Sequence, residues 1–189
     1  MNSNRKKVFI AINPPEKVKD QLIALMRSDD FALLPIRWSD RDNLHITLEF
    51  LGLVEDDDLY KVVARLHELK DELSEKLAYL SLGFSKIAPG PTSDDPTMLW
   101  ALGEENRNLT EATNVLADAF SDIRIIRSGK RHEFTPHITL GRIEKEEIKN
   151  FKMQEKKINI SFSIESIELM ESFKEKNKIR YITLETIKL

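Results

Sequence analysis

The tetrapeptide HITL occurs at residues 45–48, within WSDRDNLHITLEFLG, and again at residues 137–140, within RHEFTPHITLGR. Side chains at positions i and i+2 of a β-strand lie on the same face of a sheet. Each copy therefore places a histidine and a threonine on one face, while its isoleucine and leucine turn towards a core. We interpret the two copies as strands that present the polar groups of one site: His45 with Thr47, and His137 with Thr139.

The segments around the two copies share one order of elements. A short apolar strand, an amphipathic helix and a HITL strand are predicted in each half, and Phe9 precedes His45 by the same 36 residues that separate Ala101 from His137. Residues 88–97, APGPTSDDPT, form the clearest break between the halves. We predict one bilobal domain over residues 1–189, with half-repeats of roughly 6–88 and 97–189. The terminal strand of one half could pair within the lobe formed by the other half.

The remaining pattern predicts the fold class. The predicted strands cover residues 8–12, 44–51, 79–87, 98–102 and 135–142, and the predicted helices follow Pro14-Pro15, begin near residues 55–58, and cover residues 105–120. Apolar residues then alternate from Ile158 to Ile164 and on towards Met170, before a hairpin turn at residues 174–178. We predict an α+β fold of two pseudo-symmetric lobes, with antiparallel sheets facing a central cleft and helices on the outer faces.

Composition limits the class of protein. The apolar runs are too short for a transmembrane helix, so no membrane partner is expected. A net charge of −3 disfavours broad non-specific binding of nucleic acid, and any such contact should be local, at an end or a few nucleotides. The chain has no cysteine, which excludes disulfides, zinc ribbons and thiol nucleophiles and makes a cytoplasmic location the simplest expectation.

Two histidines and two threonines suit acid–base chemistry on a phosphate diester. Histidine has an ordinary pKa of about 6.5, so one ring of a pair can be neutral and the other protonated near neutral pH. The threonine hydroxyls can donate to non-bridging phosphate oxygens, where charge must be stabilised. Zinc needs three or four ligands, whereas each motif offers one nitrogen, so neither a metal nor another cofactor is expected.

The motifs resemble those of the 2H phosphoesterase superfamily, and within it the 2′-5′ RNA ligase-like family of RNA 2′,3′-cyclic phosphodiesterases. The resemblance extends to VFIAINPPEKVKDQL, MLWALG and LMESFKEKNKIRYITL, and its most specific part is the Phe-x-Pro-His-x-Thr-Leu-x-Arg run from Phe134 to Arg142. It implies metal-independent hydrolysis of an RNA-terminal 2′,3′-cyclic phosphate to a 2′-phosphate. His45 would be the proton donor, His137 the proton acceptor, and Thr47 and Thr139 the phosphate ligands.

Four further residues are candidates for substrate binding. Arginine matches phosphate oxygens in a two-pronged geometry, which suggests Arg131 and Arg142, and an aromatic ring can stack on a base, which suggests Phe134 and Tyr181. Regular alternation turns Arg142 away from the histidine face, so its participation requires a bulge or a strand end.

The expected partners are RNA 3′ ends or nucleotides that bear a 2′,3′-cyclic phosphate, bound by a monomer. Two alternatives remain open from the residues alone. The same side chains could join RNA ends through a 2′-5′ linkage, which is the reverse reaction with a ribose hydroxyl in place of water. They could also form a non-catalytic module that binds an RNA end or a nucleotide.

Overall fold

The computed structural model describes residues 5–92, 96–122, 134–176 and 178–189. Within these ranges the chain forms nine β-strands and four α-helices, joined in places by single turns of 3-10 helix. The strands are β1 (Arg5–Ile12), β2 (Ile36–Trp38), β3 (Ile46–Glu55), β4 (Ser81–Gly90), β5 (Met98–Gly103), β6 (His137–Ile143), β7 (Lys156–Ser163), β8 (Ser166–Glu175) and β9 (Lys178–Lys188). The helices are α1 (Glu16–Met26), α2 (Leu59–Glu68), α3 (Lys70–Leu77) and α4 (Arg107–Ala119).

The strands form two antiparallel sheets, and each sheet takes strands from both halves of the chain. Sheet A has the order β3-β1-β8-β9, and sheet B has the order β2-β6-β5-β4-β7. The first HITL copy leads into β3 of sheet A, and the second forms the start of β6 in sheet B. The predicted α+β fold with two antiparallel sheets is therefore confirmed.

The main hydrophobic core lies between the helices and one face of each sheet. Val8, Ile10 and Ile12 of β1 belong to this core, whereas Phe9 and Ala11 form a separate apolar cluster with Met170. Alternate residues of β1 belong to two different apolar clusters. Sheet A therefore packs on the helices with one face, and its other face lines a cleft. The helices therefore cover the faces that point away from the cleft, as predicted.

The helices differ from prediction mainly at their ends. α4 begins after Asn106, whose side-chain oxygen accepts a hydrogen bond from the Leu109 N–H at 3.1 Å. Such a cap satisfies one of the amide donors that a helix start leaves free. The second predicted helix is divided at Leu69 into α2 and α3. None of the helices in the described ranges is long and apolar enough to cross a membrane.

One predicted strand is in fact two. The apolar alternation that runs from Ile158 towards Met170 covers β7 of sheet B and β8 of sheet A, and it changes phase once, between Ile164 and Ile167. The break falls at Ile164, which is buried and donates its N–H to the Leu80 carbonyl at 2.9 Å. The shift of phase marks where one strand ends, but both strands face the same core, so the pattern does not show that the chain moves to the other sheet.

The connection between β2 and β3 joins the two sheets beside the HITL strands. Ser39 donates its N–H to the Leu140 carbonyl at 2.8 Å and its hydroxyl to the Thr139 carbonyl at 2.9 Å, both on β6. Asn43 donates to the Ile179 carbonyl of β9 at 2.9 Å. The short segment that leads into His45 is thus hydrogen-bonded to both sheets.

Gly141 provides a test of how tightly β2 packs on β6. A Cβ at this position would lie 2.4 Å from Ile36 Cγ2 and 2.9 Å from the Arg37 carbonyl oxygen. Because the second neighbour is backbone, we expect Gly141→Ala to lower the free energy of unfolding by about 1–3 kcal/mol, measured by chemical denaturation. Gly83→Ala in the same sheet is the control, since its Cβ would meet only the Glu104 side chain at 3.7 Å. Equal stability of the two variants would contradict this packing.

Candidate active site

His45 lies immediately before β3, and both of its ring nitrogens have partners. Its Nδ1 lies 2.8 Å from the Asn43 carbonyl oxygen, and its Nε2 lies 3.0 Å from the Thr47 hydroxyl. A carbonyl can only accept, so Nδ1 carries the proton in the neutral ring and Nε2 accepts from Thr47. The flanking Ile46 and Leu48 are buried, as the alternation predicted.

His137 opens β6 and repeats this arrangement. Its Nδ1 lies 3.0 Å from the Thr135 carbonyl oxygen, two residues earlier in the chain, as Asn43 is two residues before His45. The ring stacks on Trp100 with 4.0 Å between centroids and 26° between planes. Thr139 is the register partner of Trp100 and therefore lies on the same face of sheet B. Both motifs thus hold a neutral imidazole with its proton on Nδ1, which leaves Nε2 unprotonated.

The two imidazoles are close enough to interact electrostatically. Burial lowers the pKa of His45 to about 4; the Asn43 hydrogen bond opposes this, and charge on His137 and on Lys19 lowers the pKa further. Burial also lowers the pKa of His137, against the effect of its bond to Thr135. The unliganded site therefore contains two neutral imidazoles at neutral pH.

Aromatic rings surround His45 on the sheet A side. Phe9 lies 5.0 Å from the imidazole centroid, and Tyr181 of β9 meets it edge-on at 4.9 Å. Burial raises the pKa of Tyr181, and the charge of Arg142 acts in the opposite direction. The structure therefore brings Tyr181 and Arg142, two of the predicted substrate-binding residues, towards the histidines.

Arg142 reaches the cleft because β6 contains the bulge that its participation required. Thr139 pairs with Trp100 and Gly141 with Leu99, which leaves Leu140 as an extra residue. After the bulge Arg142 pairs with Met98, two residues from Trp100 on the same face. The extra residue changes the phase of the alternation and turns Arg142 to the histidine side.

A third candidate, Phe134, lies away from the cleft. Phe134 is half-buried against the main core, and its N–H donates to the Thr110 hydroxyl of α4 at 3.3 Å. Arg131 lies outside the described residues.

The bulge at Leu48 of β3 also turns Phe50 to the cleft. Strict alternation would place Phe50 on the face of Ile46 and Leu48, but the register skips Leu48 and Leu51. Phe50 consequently pairs with Phe9, 6.0 Å away between centroids, and its side chain is 61% exposed. Its exposed ring, next to Phe9 and so near His45, offers an aromatic surface to a ligand. In the sequence, Gly52 directly after Leu51 is a signal for one of the two bulges, whereas nothing marks the bulge at Leu48.

A half-buried carboxylate, Glu168, lies on the same side of the cleft. Glu168 accepts hydrogen bonds from Asn13 and, at 3.2 Å, from Thr183, and burial raises its pKa while the charge of Lys19 lowers it. Lys19 itself is only 8% exposed and pairs with Glu16 at 3.4 Å. In the sequence, Glu168 is a single polar residue between apolar neighbours of a strand, which is an ordinary pattern for a solvated face.

Known proteins share this architecture. Residues 16–187 match the family described as the AKAP7 2′5′ RNA ligase-like domain. A protein of Methanocaldococcus jannaschii named RNA 2′,3′-cyclic phosphodiesterase is 29% identical over 138 residues, which cover 73% of this chain and 72% of that protein.

Solved structures agree on the fold. A protein of Thermus thermophilus superposes with a TM-score of 0.75 at 22% identity over 97% of both chains. E. coli LigT, crystallised with 3′-AMP, superposes with a TM-score of 0.70 at 22% identity over 98% of both chains.

The proton positions and the lowered pKa of His45 can be measured by NMR. In protein with ¹⁵N-labelled histidine, we expect His45 and His137 to show the Nδ1-protonated tautomer at neutral pH, and His45 to stay neutral down to about pH 4. A spectrum in which either ring carries its proton on Nε2, or in which His45 titrates near its ordinary pKa, would contradict the geometry.

Stability should follow the same titration. The unfolded chain takes up a proton on His45 below about pH 6.5, whereas the folded protein does not until about pH 4. Relative to a His45→Gln variant, the parent should therefore gain stability as the pH rises from 4 to 6.5. Between those two pH values, the free energy of unfolding of the parent relative to the variant should rise by roughly 1.4 kcal/mol per pH unit, measured by chemical denaturation. A stability difference that does not change with pH in this window would contradict the lowered pKa.

Proposed function

The chain belongs to the AKAP7 2′5′ RNA ligase-like domain family, and we propose that it hydrolyses RNA-terminal 2′,3′-cyclic phosphate to a 2′-phosphate without a metal ion. One observation carries the proposal: two imidazoles, each oriented by a carbonyl two residues earlier, share one cleft with a threonine beside each. The M. jannaschii relative bears the name of this activity.

The proposed reaction needs one base and one acid on opposite sides of the phosphorus atom. His137 accepts a proton from water through Nε2, and the oxygen of that water bonds to phosphorus. The bond from phosphorus to O3′ breaks, and His45 donates a proton to O3′, so the phosphate remains on O2′. The hydroxyls of Thr47 and Thr139 donate to the non-bridging oxygens as charge accumulates there.

The low pKa of His45 is compatible with its proposed role as the acid. An imidazolium with a low pKa is a strong proton donor, but it must first be protonated, and a phosphate anion in the cleft favours that protonation. The two rings have the same tautomer and equivalent hydrogen bonds to carbonyls, so the assignment of donor and acceptor rests on the family resemblance.

The aromatic surfaces support a nucleotide substrate. Tyr181 contacts His45, and Phe50 packs on Phe9, which also contacts His45. Both rings are partly exposed, so a base can stack on them. An RNA 3′ end with a cyclic phosphate offers the base and the phosphate together. The cytoplasmic location and the monomeric state remain predictions.

Substitution of either histidine tests the mechanism. We expect His45→Ala and His137→Ala each to lower kcat/KM on a 2′,3′-cyclic mononucleotide by about 10²–10⁴, because each removes one proton-transfer group. His67→Ala is the control, since that exposed residue contacts Glu185 on the outside of the fold. ³¹P NMR of the product reports turnover and regiochemistry, and the parent should retain activity in EDTA. Full activity in both single variants would exclude this mechanism, and binding without turnover would favour the non-catalytic module.

Thr139 separates phosphate stabilisation from proton transfer. Thr139→Val keeps the branched shape that suits a strand and removes the hydroxyl, so kcat should fall by on the order of 10² with a smaller change in KM. Thr139→Ser should restore most of the rate. A loss of the same size in Thr139→Ser would mean that the methyl group, and not the donor, is what the site requires.

A further inference from the structure

The indole of Trp100 in β5 contacts the imidazole of His137 nearly face to face. The two ring centroids lie 4.0 Å apart, and the ring planes differ by 26°. In the register of β5 and β6, Trp100 pairs with Thr139 and Leu102 pairs with His137. The indole therefore belongs to a residue of the neighbouring strand that lies beside both polar members of the second HITL copy.

The fold leaves space for this indole on the adjacent strand β4. A Cβ at Gly90 would lie 2.5–2.8 Å from three atoms of the six-membered ring of Trp100, namely Cδ2, Cε3 and Cζ3. The Nε1 of Trp100 is buried and, among the described residues, has no hydrogen-bond acceptor. Packing against Gly90 and His137, and not a hydrogen bond, therefore fixes the position of the indole.

Within the described part of the chain, the ring of His45 has no equivalent stack. Phe9 is tilted by 39° against it with 5.0 Å between centroids, and Tyr181 meets it edge-on at 82° and 4.9 Å. The charge of Lys19 also lowers the pKa of His45. The two imidazoles thus have the same tautomer and similar hydrogen bonds to carbonyls, but they differ in the aromatic surface that they contact.

A stacked indole acts differently on a neutral and on a charged imidazole. The face of an aromatic ring carries the negative part of its quadrupole. A cation over this face, within about 6 Å of the centroid, is attracted to it, and tryptophan gives the strongest attraction of the aromatic side chains. A neutral ring gains much less from the same contact. The stack consequently favours His137 in its protonated form.

We propose that Trp100 is a positioning residue for His137, because its indole holds the imidazole in place and stabilises the imidazolium that forms when His137 accepts the proton of water. The inference rests on the proposed function for the source of that proton. It also gives the two histidines different roles for a physical reason. The ring stacked on indole is better suited to accept a proton, and the ring beside the charge of Lys19 is better suited to release one.

Other charged and titratable groups lie on the elements packed around His137. They are His45 before β3, Tyr181 of β9, Arg142 of β6, Arg37 of β2, Glu104 directly after β5, and Lys86 of β4 with its partner Glu155. Substitution of Trp100 changes none of these groups. A change in the titration of His137 in such a variant therefore reports on the indole.

The first test titrates both histidines by NMR in the parent, Trp100→Phe, Trp100→Leu and the control Phe162→Leu. Phenylalanine keeps a flat ring with a weaker negative face, and leucine removes the face. Phe162 stacks on Phe84 in the main core, with 6.0 Å between centroids and 7° between planes, so the control removes a stacked ring of the same sheet. We expect the pKa of His137 to fall from the parent to Trp100→Phe and further to Trp100→Leu, with a much smaller change at His45.

Activity on a 2′,3′-cyclic mononucleotide supplies the second readout. Above the pKa of His137 the ring is neutral before the reaction and becomes charged during it, so we expect Trp100→Leu to lower kcat/KM about tenfold there. Below that pKa the ring is charged before the reaction as well, and the loss should shrink. Trp100→Phe should retain part of the lost rate, and Phe162→Leu should keep the pH profile of the parent.

A pKa of His137 that rises in either Trp100 variant would overturn the inference, because the indole would then act only by excluding water from the ring. An unchanged pKa, a change as large in Phe162→Leu, or a rate loss of equal size at every pH would overturn it too. If the parent does not turn over the substrate, it is the proposed function that fails. The NMR titration needs no turnover and still decides whether Trp100 stabilises the charged form of His137.

Discussion

The structure depends on the short connection between β2 and β3, which forms hydrogen bonds with both sheets and so links them. Ser39 donates twice to β6, and four residues later Asn43 donates to β9 and supplies the carbonyl that orients His45. Asp40 accepts from Arg180 of β9 at 2.9 Å in the same segment. The two histidines belong to different sheets, and this connection, together with the core that both sheets share, sets their relative position.

Burial gives the site its electrostatic character. Taking an imidazole out of water disfavours its charged form, and each ring keeps one hydrogen bond to a carbonyl that specifies the tautomer. Lys19 adds a positive charge nearby, which further disfavours protonation of His45 in the empty cleft. A phosphate bound as proposed would reverse this balance, because its negative charge would favour the protonated form of the ring. The site is thus suited to change its protonation when its ligand binds.

Irregularities in the strands decide which residues accompany the histidines. Bulges in β3 turn Phe50 to the cleft, and the bulge in β6 turns Arg142 to the same side. Gly52, with a φ of 83°, supplies the left-handed conformation at the far β3 bulge, which glycine adopts without strain. Each bulge shifts the alternation by one residue, so side chains that a regular strand would send to the core line the site.

Sequence alone determined the two HITL strands, the buried Ile and Leu beside each histidine, and the α+β class, because these follow from local periodicity. It also singled out His45, His137, Thr47 and Thr139, since the repeat places the same polar pair on one face twice. Tertiary structure decided the rest. Contacts between residues far apart in the chain decide which sheet a strand joins, as with β7 and β8, and where a bulge falls. Such contacts also decide that Phe134 turns to the core and Phe50 to the cleft. The periodicity of apolar residues cannot predict those contacts, because it indicates only that a side chain is buried and not which residues pack against it.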